Sequence, residues 1–370
     1  MTNRSRRRFV FSLPAVALAG CSGDDVTPVA TRYRTAVDRV LKQYRLPGAL
    51  AAVTFPGDPD WAVALGEGDL AARTPMRLAD HGSIRSVTKS FTVTVILQLV
   101  RERALALADP IERWVPGIPN GGQITLADLA GMQSGIAEYS ANPAFLQAFG
   151  SDPGRAWTEA ELVAFALPGS PRFAPGADYQ YSNTNTVLLG MVAAQVAGIP
   201  LEEALRARIF APLRLAQTTY PLVVELPEPH PTPYEVDPDT GAAEALPLFS
   251  PTALAGAGAI VSTLADLSTW ALALGDGRLI GADLQRERIE RSRPATSGPQ
   301  YDRYGLGIGI RNGWWGHHGS GLGWQAAAFY DPRTGATIAA LVNATPNGGH
   351  GELNFAQQLF EALAAVVATR

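Results

Sequence analysis

The chain has 370 residues, of which 46% are hydrophobic and 17% are charged. This length and composition allow one large domain or two closely packed ones, and they exclude a disordered or fibrous protein. The net charge is −4 and no basic run lies beyond the first ten residues, which excludes nucleic acid as a partner. The one cysteine, Cys21, excludes an internal disulfide and a cysteine metal cluster.

The N-terminus has the features of an export signal. Four arginines at positions 4–8 precede an apolar stretch at 9–19, which is too short to span a bilayer. The stretch ends in Leu18-Ala19-Gly20-Cys21, which resembles a bacterial lipobox, where the cysteine is lipidated. We therefore expect a signal peptide at 1–20, a tether at 21–29 and a lipid anchor on Cys21. The alternative is an ordinary secretory signal that happens to contain a cysteine.

The expected location follows from this signal. A lipid on Cys21 attaches the protein to a bacterial membrane on its extracytoplasmic side, either periplasmic or at the cell surface. The segment Ser5-Arg6-Arg7-Arg8-Phe9 also resembles a twin-arginine signal, and a merely basic n-region is the alternative.

Strand signals lie towards both ends of the chain, and helical signals lie in the middle. Apolar runs at 49–55 and 61–65, joined by a Pro-Gly-Asp-Pro turn, predict a hairpin. Residues 86–103 carry apolar side chains every three or four positions, which predicts a helix. Further helices are predicted at 37–44, 126–132, 158–167, 184–196, 201–209, 264–274 and 352–368. Further strands are predicted at 257–262, 305–311, 325–330 and 337–342.

The pattern predicts an α/β fold with an antiparallel sheet flanked by helices. The sheet is built from both termini, and a mostly helical region is inserted between its two parts. We expect a single domain at 30–370, with the sheet part at about 30–85 and 255–370 and the helical part at about 86–254.

Ser86-Val87-Thr88-Lys89 is the first candidate for chemistry. The chain has 28 arginines, two lysines and 17 serines, so about 0.1 chance occurrences of Ser-x-x-Lys are expected. At i and i+3 the two side chains share one helix face, and free N–H groups at the helix start lie where an oxyanion would form. A buried Lys89 with a depressed pKa can share the serine proton. The alternative is a helix-capping serine beside a surface lysine.

Tyr181-Ser182-Asn183 is the second candidate. Near Lys89 the phenolate of Tyr181 would be favoured, so Tyr181 could take the proton from Ser86. Asn183 could bind a substrate amide through its side chain. The alternative is that Asn183 or Asn185 caps the helix that follows.

His317-His318-Gly319-Ser320 is the third candidate. Gly319 would let a substrate lie close to the strand, and the backbone N–H of Ser320 would supply an oxyanion donor. Period two places His317 and Gly319 on one face of the strand and His318 on the other. A packing or surface histidine is the alternative. No metal and no cofactor are predicted, because the remaining histidines lack ligand spacing: His81, His230 and His350.

The three motifs resemble, in order and rough spacing, those of the serine β-lactamase/D-alanyl-D-alanine carboxypeptidase superfamily. The D,D-carboxypeptidase and class C-like branch is the most similar. The resemblance covers nearly all of residues 30–370 and includes three further segments: Phe173-Ala174-Pro175-Gly176, Ala257-Gly258-Ala259 and Tyr304-Gly305-Leu306-Gly307.

The resemblance implies a role for each candidate. Ser86 is implied as the acylated nucleophile, Lys89 as its proton partner and Tyr181 as the general base. Asn183 is implied to hold the substrate amide, and His317 stands at the third motif. The N–H groups of Ser86 and Ser320 are implied to form the oxyanion hole, and Gly319, the last residue of the third motif, is implied to border the substrate.

Two departures from the family pattern bear on the substrate. His317 stands where class C β-lactamases carry lysine, which favours a peptidase or esterase over a β-lactamase. Carboxypeptidases of this branch hold the substrate carboxylate with an arginine, whose place Gly309 takes here. Arg311 lies on the same strand face as Gly309, and it is the expected substitute.

Two functions follow. The first is an extracytoplasmic serine hydrolase that forms an acyl-enzyme with a small peptide, ester or β-lactam, of D-Ala-D-Ala carboxypeptidase, esterase or amidase type. The second is a non-catalytic lipoprotein that binds penicillin or peptidoglycan fragments.

Overall fold

The computed structural model describes residues 28–350 and 353–369. The predicted signal peptide, Cys21 and tether residues 21–27 lie outside the described residues. Residues 28 and 29, at the end of the predicted tether, belong to the first helix.

The described residues form the helices and strands whose bounds follow. The helices are α1 (Pro28–Tyr44), α2 (Thr88–Arg101), α3 (Leu126–Ala130), α4 (Pro143–Ser151), α5 (Glu159–Ala166), α6 (Asn183–Ala197), α7 (Leu201–Leu205), α8 (Ala211–Leu213), α9 (Leu264–Asp276), α10 (Ala282–Glu290) and α11 (Phe355–Val367). The strands are β1 (Gly48–Thr54), β2 (Trp61–Asp69), β3 (Thr74–Pro75), β4 (His81–Ser83), β5 (Tyr234–Val236), β6 (Ala243–Ala245), β7 (Val261–Thr263), β8 (Arg293–Pro294), β9 (Arg303–Tyr304), β10 (Gly309–Arg311), β11 (Trp314–Gly321), β12 (Trp324–Tyr330), β13 (Thr337–Val342) and β14 (Ala344–Pro346).

The central sheet has nine strands in the order β3-β2-β1-β13-β12-β11-β10-β9-β8, and every neighbouring pair is antiparallel. Strand β1 pairs with β13, so the N-terminal and C-terminal parts of the chain meet in the middle of the sheet. The predicted α/β fold, with an antiparallel sheet built from both termini, is confirmed. The region between 86 and 254 also contains two short strands, β5 and β6, which the sequence did not predict.

Each face of the sheet is covered by helices. Along β1, Leu50 and Ala52 pack into the core that contains α2, α6 and α9. Ala49, Ala51 and Val53 alternate with them and pack into the core under α1 and α11. The continuous apolar run of β1 therefore reflects burial on both faces.

Several elements differ from the sequence prediction. Helix α2 begins at Thr88, after a 3-10 turn over Arg85–Val87. Residues 255–257 form another 3-10 turn, and the strand predicted there begins only at Val261. Helix α10 was not predicted because its buried face includes the polar residues Gln285 and Arg288, which interrupt the apolar period.

Within 28–350 and 353–369, no single helix has the length and apolar composition needed to cross a membrane. Asn183–Ala197 and Leu201–Leu213 meet those criteria only when taken together, and they are bent by 78° relative to each other.

Candidate active site

Ser86 lies in the 3-10 turn that leads into α2, at the wall of an open cleft of about 320 Å³. Ser86, Tyr181, Asn183 and Ser320 all line this cleft, so residues far apart in sequence meet there. Helix α2 is buried from Thr88 to Leu99, because its apolar side chains pack on nearly all sides. The helix is thus fixed in the core, and its N-terminal turn presents Ser86 to solvent.

Lys89 is completely buried beneath Ser86. Its Nζ donates hydrogen bonds to Ser86 Oγ at 2.9 Å, to Asn183 Oδ1 at 2.6 Å and to the carbonyl of Ala257 at 2.9 Å. Burial lowers the pKa of Lys89 from 10.5 to about 7, and the nearby charge of Glu138 acts in the opposite direction. Burial therefore makes the neutral amine accessible near neutral pH. The alternative of a surface lysine does not fit this position.

Tyr181 places its ring 4.9 Å from Lys89 Nζ, measured to the ring centroid. Its hydroxyl is buried and makes no hydrogen bond of standard geometry among the described residues. Burial raises the pKa of Tyr181 well above its ordinary value of 10, while the interaction with the Ser86 hydroxyl acts in the other direction. The expected phenolate is thus disfavoured in the resting site, and Tyr181 is a neutral phenol beside the serine.

Asn183 is the first residue of α6, and Ser182 occupies the N-cap position without a capping side-chain bond. The Asn183 side chain instead accepts the bond from Lys89, so it is not the helix cap. Its Nδ2 donates to Glu138 Oε1 at 3.3 Å and to Ser140 Oγ at 3.4 Å. The backbone N–H of Asn183 also donates to Glu138. The carboxylate of Glu138 therefore contacts the Asn183 side chain, which lines the cleft.

His317 does not line the cleft, contrary to the expected catalytic position. The ring is fully buried, with Nε2 at 3.0 Å from Tyr304 Oη and Nδ1 at 3.0 Å from Tyr301 Oη. Nδ1 also lies 2.6 Å from the carbonyl of His318, which can only accept, so Nδ1 carries the proton and Nε2 accepts from Tyr304. Burial and the charge of Lys89 hold the pKa of His317 well below 6.5. This histidine is a neutral packing residue behind Tyr181, whose ring centroid is 6.3 Å away.

His318, which was expected to face away, lines the cleft instead. Asn354 caps α11 with Oδ1, which accepts from the N–H of Gln357 at 2.9 Å. This fixes Nδ2 as the group that donates to the Gly319 carbonyl at 3.1 Å and to His318 Nδ1 at 2.9 Å. Since Nδ1 accepts, Nε2 carries the proton, and it has no partner among the described residues. Burial lowers the pKa of His318 to about 3, so the ring is a neutral donor.

Gly319 and Ser320 bring strand β11 against the nucleophile turn. A Cβ on Gly319 would lie 2.3 Å from the carbonyl oxygen of Ile84 and 2.8 Å from Ser86 N, so a side chain cannot fit. The glycine is therefore required by the approach of the Ser86 turn rather than by a substrate. The N–H of His318 donates to Tyr301 Oη at 2.9 Å, and alternation turns the Ser320 N–H towards the same edge of the strand.

Arg311 is not brought into the cleft, which corrects its predicted role in substrate binding. Its Nε donates to Glu361 at 2.9 Å, and its Nη1 lies 3.4 Å from Asp302. A Cβ at Gly309 would lie 2.3 Å from the Tyr301 ring, which fills the space that a side chain at position 309 would need. Among the described residues that line the cleft, none is an arginine or a lysine.

Among the residues that the structure describes, one group could hold a cation. Ligand atoms of Asp237, Asp239 and His350 lie within 4.8 Å of one another, outside the cleft. His350 Nε2 is 3.3 Å from an Asp239 carboxylate oxygen, so the pair already forms a contact of its own when the histidine is protonated. His350 shows no ligand spacing in the sequence, because the two aspartates lie more than a hundred positions earlier.

The geometry agrees with comparisons to known proteins. The Beta-lactamase family model matches residues 33–362. The chain belongs to this family. The predicted family and the predicted class of enzyme, a β-lactamase-related serine hydrolase, are confirmed.

Similar proteins of known structure include hydrolases of D-amino acid derivatives. A D-amino acid amidase from Ochrobactrum anthropi SV3, complexed with L-phenylalanine amide, matches with a TM-score of 0.84 and 25% identity, covering 93% of this chain and 99% of that chain. A D-stereospecific amidohydrolase from Streptomyces sp. matches with a TM-score of 0.77 and 31% identity, covering 90% and 98%.

Curated relatives include a D-aminopeptidase from Brucella anthropi, which is 28% identical over 330 residues, covering 86% of this chain and 60% of that protein. The chain spans between about a third and two thirds of the length of the curated relatives it matches.

Three residues of the site were not predicted from the sequence: Glu138, Tyr301 and Asn354. His318 was predicted to face away from the cleft. Glu138 and Tyr301 stand alone in loops, without a motif around them. For Asn354 a signal existed, since an asparagine directly before an apolar-periodic helix predicts an N-cap. Its contact with His318 depends on the tertiary fold.

Proposed function

We propose that the protein is a serine hydrolase that acylates itself on Ser86, with amides or esters of D-amino acids that keep a free α-amino group as substrates. The observation that carries the proposal is the 2.9 Å hydrogen bond between Ser86 Oγ and a buried amine whose pKa is about 7. An amine with this pKa can accept the serine proton at neutral pH.

Acylation begins when neutral Lys89 takes the proton of Ser86 as Oγ bonds to the substrate carbonyl carbon. The negative charge that forms on the carbonyl oxygen is stabilised by the N–H groups of Ser86 and Ser320. When the intermediate collapses, the bond to the leaving nitrogen or oxygen breaks. Tyr181 donates its proton to that leaving group and recovers one from Lys89. Water then attacks the acyl-enzyme through the same groups in reverse and releases the acid.

The charges around the cleft favour a substrate with an ammonium group over one with a carboxylate. Glu138 is partly exposed and contacts Asn183, which lines the cleft. A carboxylate in this place attracts a substrate α-ammonium. Arg311 is paired elsewhere, so a terminal carboxylate finds no cation in the described part of the cleft. A D-Ala-D-Ala carboxypeptidase is therefore the less favoured member of the predicted set.

The side chain of His318 adds a neutral donor at the cleft. Its protonated Nε2 would bind an acceptor atom of the substrate, such as a carbonyl oxygen. The names of the amidase, amidohydrolase and aminopeptidase relatives support both the amide bond and the D configuration.

The extracytoplasmic location and the lipid anchor on Cys21 are part of the proposal, supported by the lipobox-like sequence alone. Metabolic labelling of the full chain with a radioactive or clickable palmitate, against Cys21→Ala, tests them. Loss of label and of membrane association in the variant is the expected result. The second candidate, a non-catalytic penicillin- or peptidoglycan-binding lipoprotein, is disfavoured by the intact contact between Lys89 and Ser86.

A panel of four substrates tests the activity and its preference. It contains a D-amino acid amide, its L enantiomer, its N-acetylated form and a D-Ala-D-Ala peptide. We expect the free D-amino acid amide to have the highest kcat/KM, and Glu138→Gln to reduce its advantage over the N-acetylated form by about 10-fold or more. Preference for D-Ala-D-Ala, or an unchanged advantage in the Gln variant, would contradict the proposed substrate. Penicillin labelling without turnover of any substrate would favour the binding lipoprotein.

A further inference from the structure

The residue directly before the nucleophile has an unusual backbone conformation. Arg85 has a φ of 49°, in the left-handed region that favours glycine. Such a conformation in a bulky residue is held in place by its surroundings. The Arg85 side chain is only 4% exposed. Among the described residues no carboxylate lies within ion-pair distance of it.

The Arg85 guanidinium is tied to the turn between β11 and β12. Its Nε donates to the carbonyl of Gly321 at 2.9 Å, and its Nη2 donates to the carbonyl of Leu322 at 3.2 Å. The ring of Phe249 lies under the guanidinium, with the carbon Cζ 4.5 Å from the ring centroid. The turn that Arg85 binds through these hydrogen bonds directly follows Ser320, which carries the second oxyanion donor.

The two segments that supply the oxyanion donors are therefore joined twice. Gly319 contacts the backbone of Ile84 and Ser86 directly, as the absence of space for a Cβ shows. Arg85 lies in the same 3-10 turn as Ser86, and its guanidinium binds the carbonyls of the two residues that follow Ser320. A shift of β11 along or away from α2 would have to break the guanidinium contacts.

We propose that Arg85 is a positioning residue that sets the distance between the Ser86 and Ser320 N–H groups and adds a buried positive charge beside them. This inference rests on the proposed acyl-enzyme function. An oxyanion hole works only when both donors are held in the place that the oxyanion will occupy. A charge excluded from water also acts more strongly on a developing anion than one in solvent. Burial lowers the pKa of Arg85 to about 9, so the guanidinium stays charged at neutral pH.

Three substitutions separate geometry from charge. In Arg85→Gly the glycine adopts the positive φ without strain, but the guanidinium hydrogen bonds and the charge are both lost. Arg85→Gln keeps one amide donor without charge, and Arg85→Lys keeps the charge with a different donor geometry. The readouts are kcat and KM with an amide substrate, the inhibition constant of an arylboronic acid that forms a tetrahedral adduct on serine, and Tm.

The expected result is a joint loss of kcat and of boronic acid affinity of about 100-fold in the Gly and Gln variants, the scale of a lost oxyanion donor. KM should change by less than about threefold, and Arg85→Lys should recover part of the loss. The matched control is Arg288→Gln, another buried arginine bound to backbone carbonyls. It should lower Tm without changing the ratio of boronic acid affinity to KM.

Equal boronic acid affinity in the wild type and in folded Arg85 variants would overturn the inference. So would an equal change of the ratio in Arg288→Gln, since that would be a general effect of removing a buried arginine. If Arg85→Gly does not fold, the Gln and Lys variants decide the question. Failure of the wild-type protein to react with a fluorophosphonate at Ser86 would instead overturn the proposed function itself.

Discussion

Replacement of Lys89 with methionine should change how the stability of the protein depends on pH. Burial lowers the pKa of this amine from 10.5 to about 7 in the folded chain. In the unfolded chain the amine is exposed to water and keeps its ordinary pKa. Between pH 7 and 10.5 the unfolded state therefore binds one proton more than the folded state does, at this residue.

Stability rises with pH wherever the unfolded state binds more protons, by up to about 1.4 kcal/mol per pH unit for one group. The free energy of unfolding of the wild-type protein should thus gain about 2 kcal/mol between pH 7 and pH 9 relative to Lys89→Met. Below about pH 6 both states are protonated at Lys89, and the difference between the two proteins should be constant. Other titrating groups are shared by both proteins and cancel in the difference.

Urea unfolding followed by tryptophan fluorescence at pH 6, 7, 8 and 9 measures this difference. The matched control is Lys42→Met, because Lys42 is the other lysine of the chain and its side chain is 74% exposed. The difference between wild type and Lys42→Met should not change between pH 7 and 9. A difference between wild type and Lys89→Met that stays constant over this range would refute the depressed pKa and the role of Lys89 as a base.

Three further predictions concern activity. First, kcat/KM of the wild-type protein should rise with pH through a midpoint near 7, since the deprotonated Lys89 is the active form, and a pH-independent profile from 6 to 8 would contradict this. Second, Tyr181→Phe should lower kcat/KM by about 10²–10⁴, because it removes the proton donor for the leaving group; an unchanged kcat/KM would remove Tyr181 from the proton path. Third, Asn354→Asp keeps the cap of α11 but presents an acceptor to His318 Nδ1. At alkaline pH the single proton of the neutral ring should then lie on Nδ1, so Nε2 no longer donates and KM should rise by about 10-fold. Asn354→Ser, tested in the same assay, is the control because it keeps a cap without the new charge.

The sequence predicted the parts of the site that depend on local spacing. Ser86 and Lys89 are three residues apart, in the 3-10 turn and in the first turn of α2 that continues it, so their contact follows from local helical geometry. The sheet was also predictable, because β13 and β1 are apolar runs of the expected length with turns beside them. Lys89 stands out in the sequence because lysine is scarce in this chain, with only Lys42 besides it.

The positions of the other site residues depend on which face of each strand is turned to the cleft. Period two correctly separated His317 from His318, but the sequence alone does not say which face is turned to the cleft. The predicted position of Arg311 was wrong for a similar reason. Tyr301 folds back over Gly309 and occupies the space in which a carboxylate-binding side chain would lie. The contacts of Glu138 with Asn183 join a loop to a helix 45 residues away.

The position of a covalent adduct shows whether Ser86 is the nucleophile. The protein is treated with a fluorophosphonate, its intact mass is measured, and the modified peptide is sequenced by mass spectrometry. We expect one adduct per chain on the peptide that contains Ser86, formed more slowly at pH 6 than at pH 8, and no adduct in Ser86→Ala. An adduct on another peptide, or unchanged labelling of the variant, would show that Ser86 is not the nucleophile.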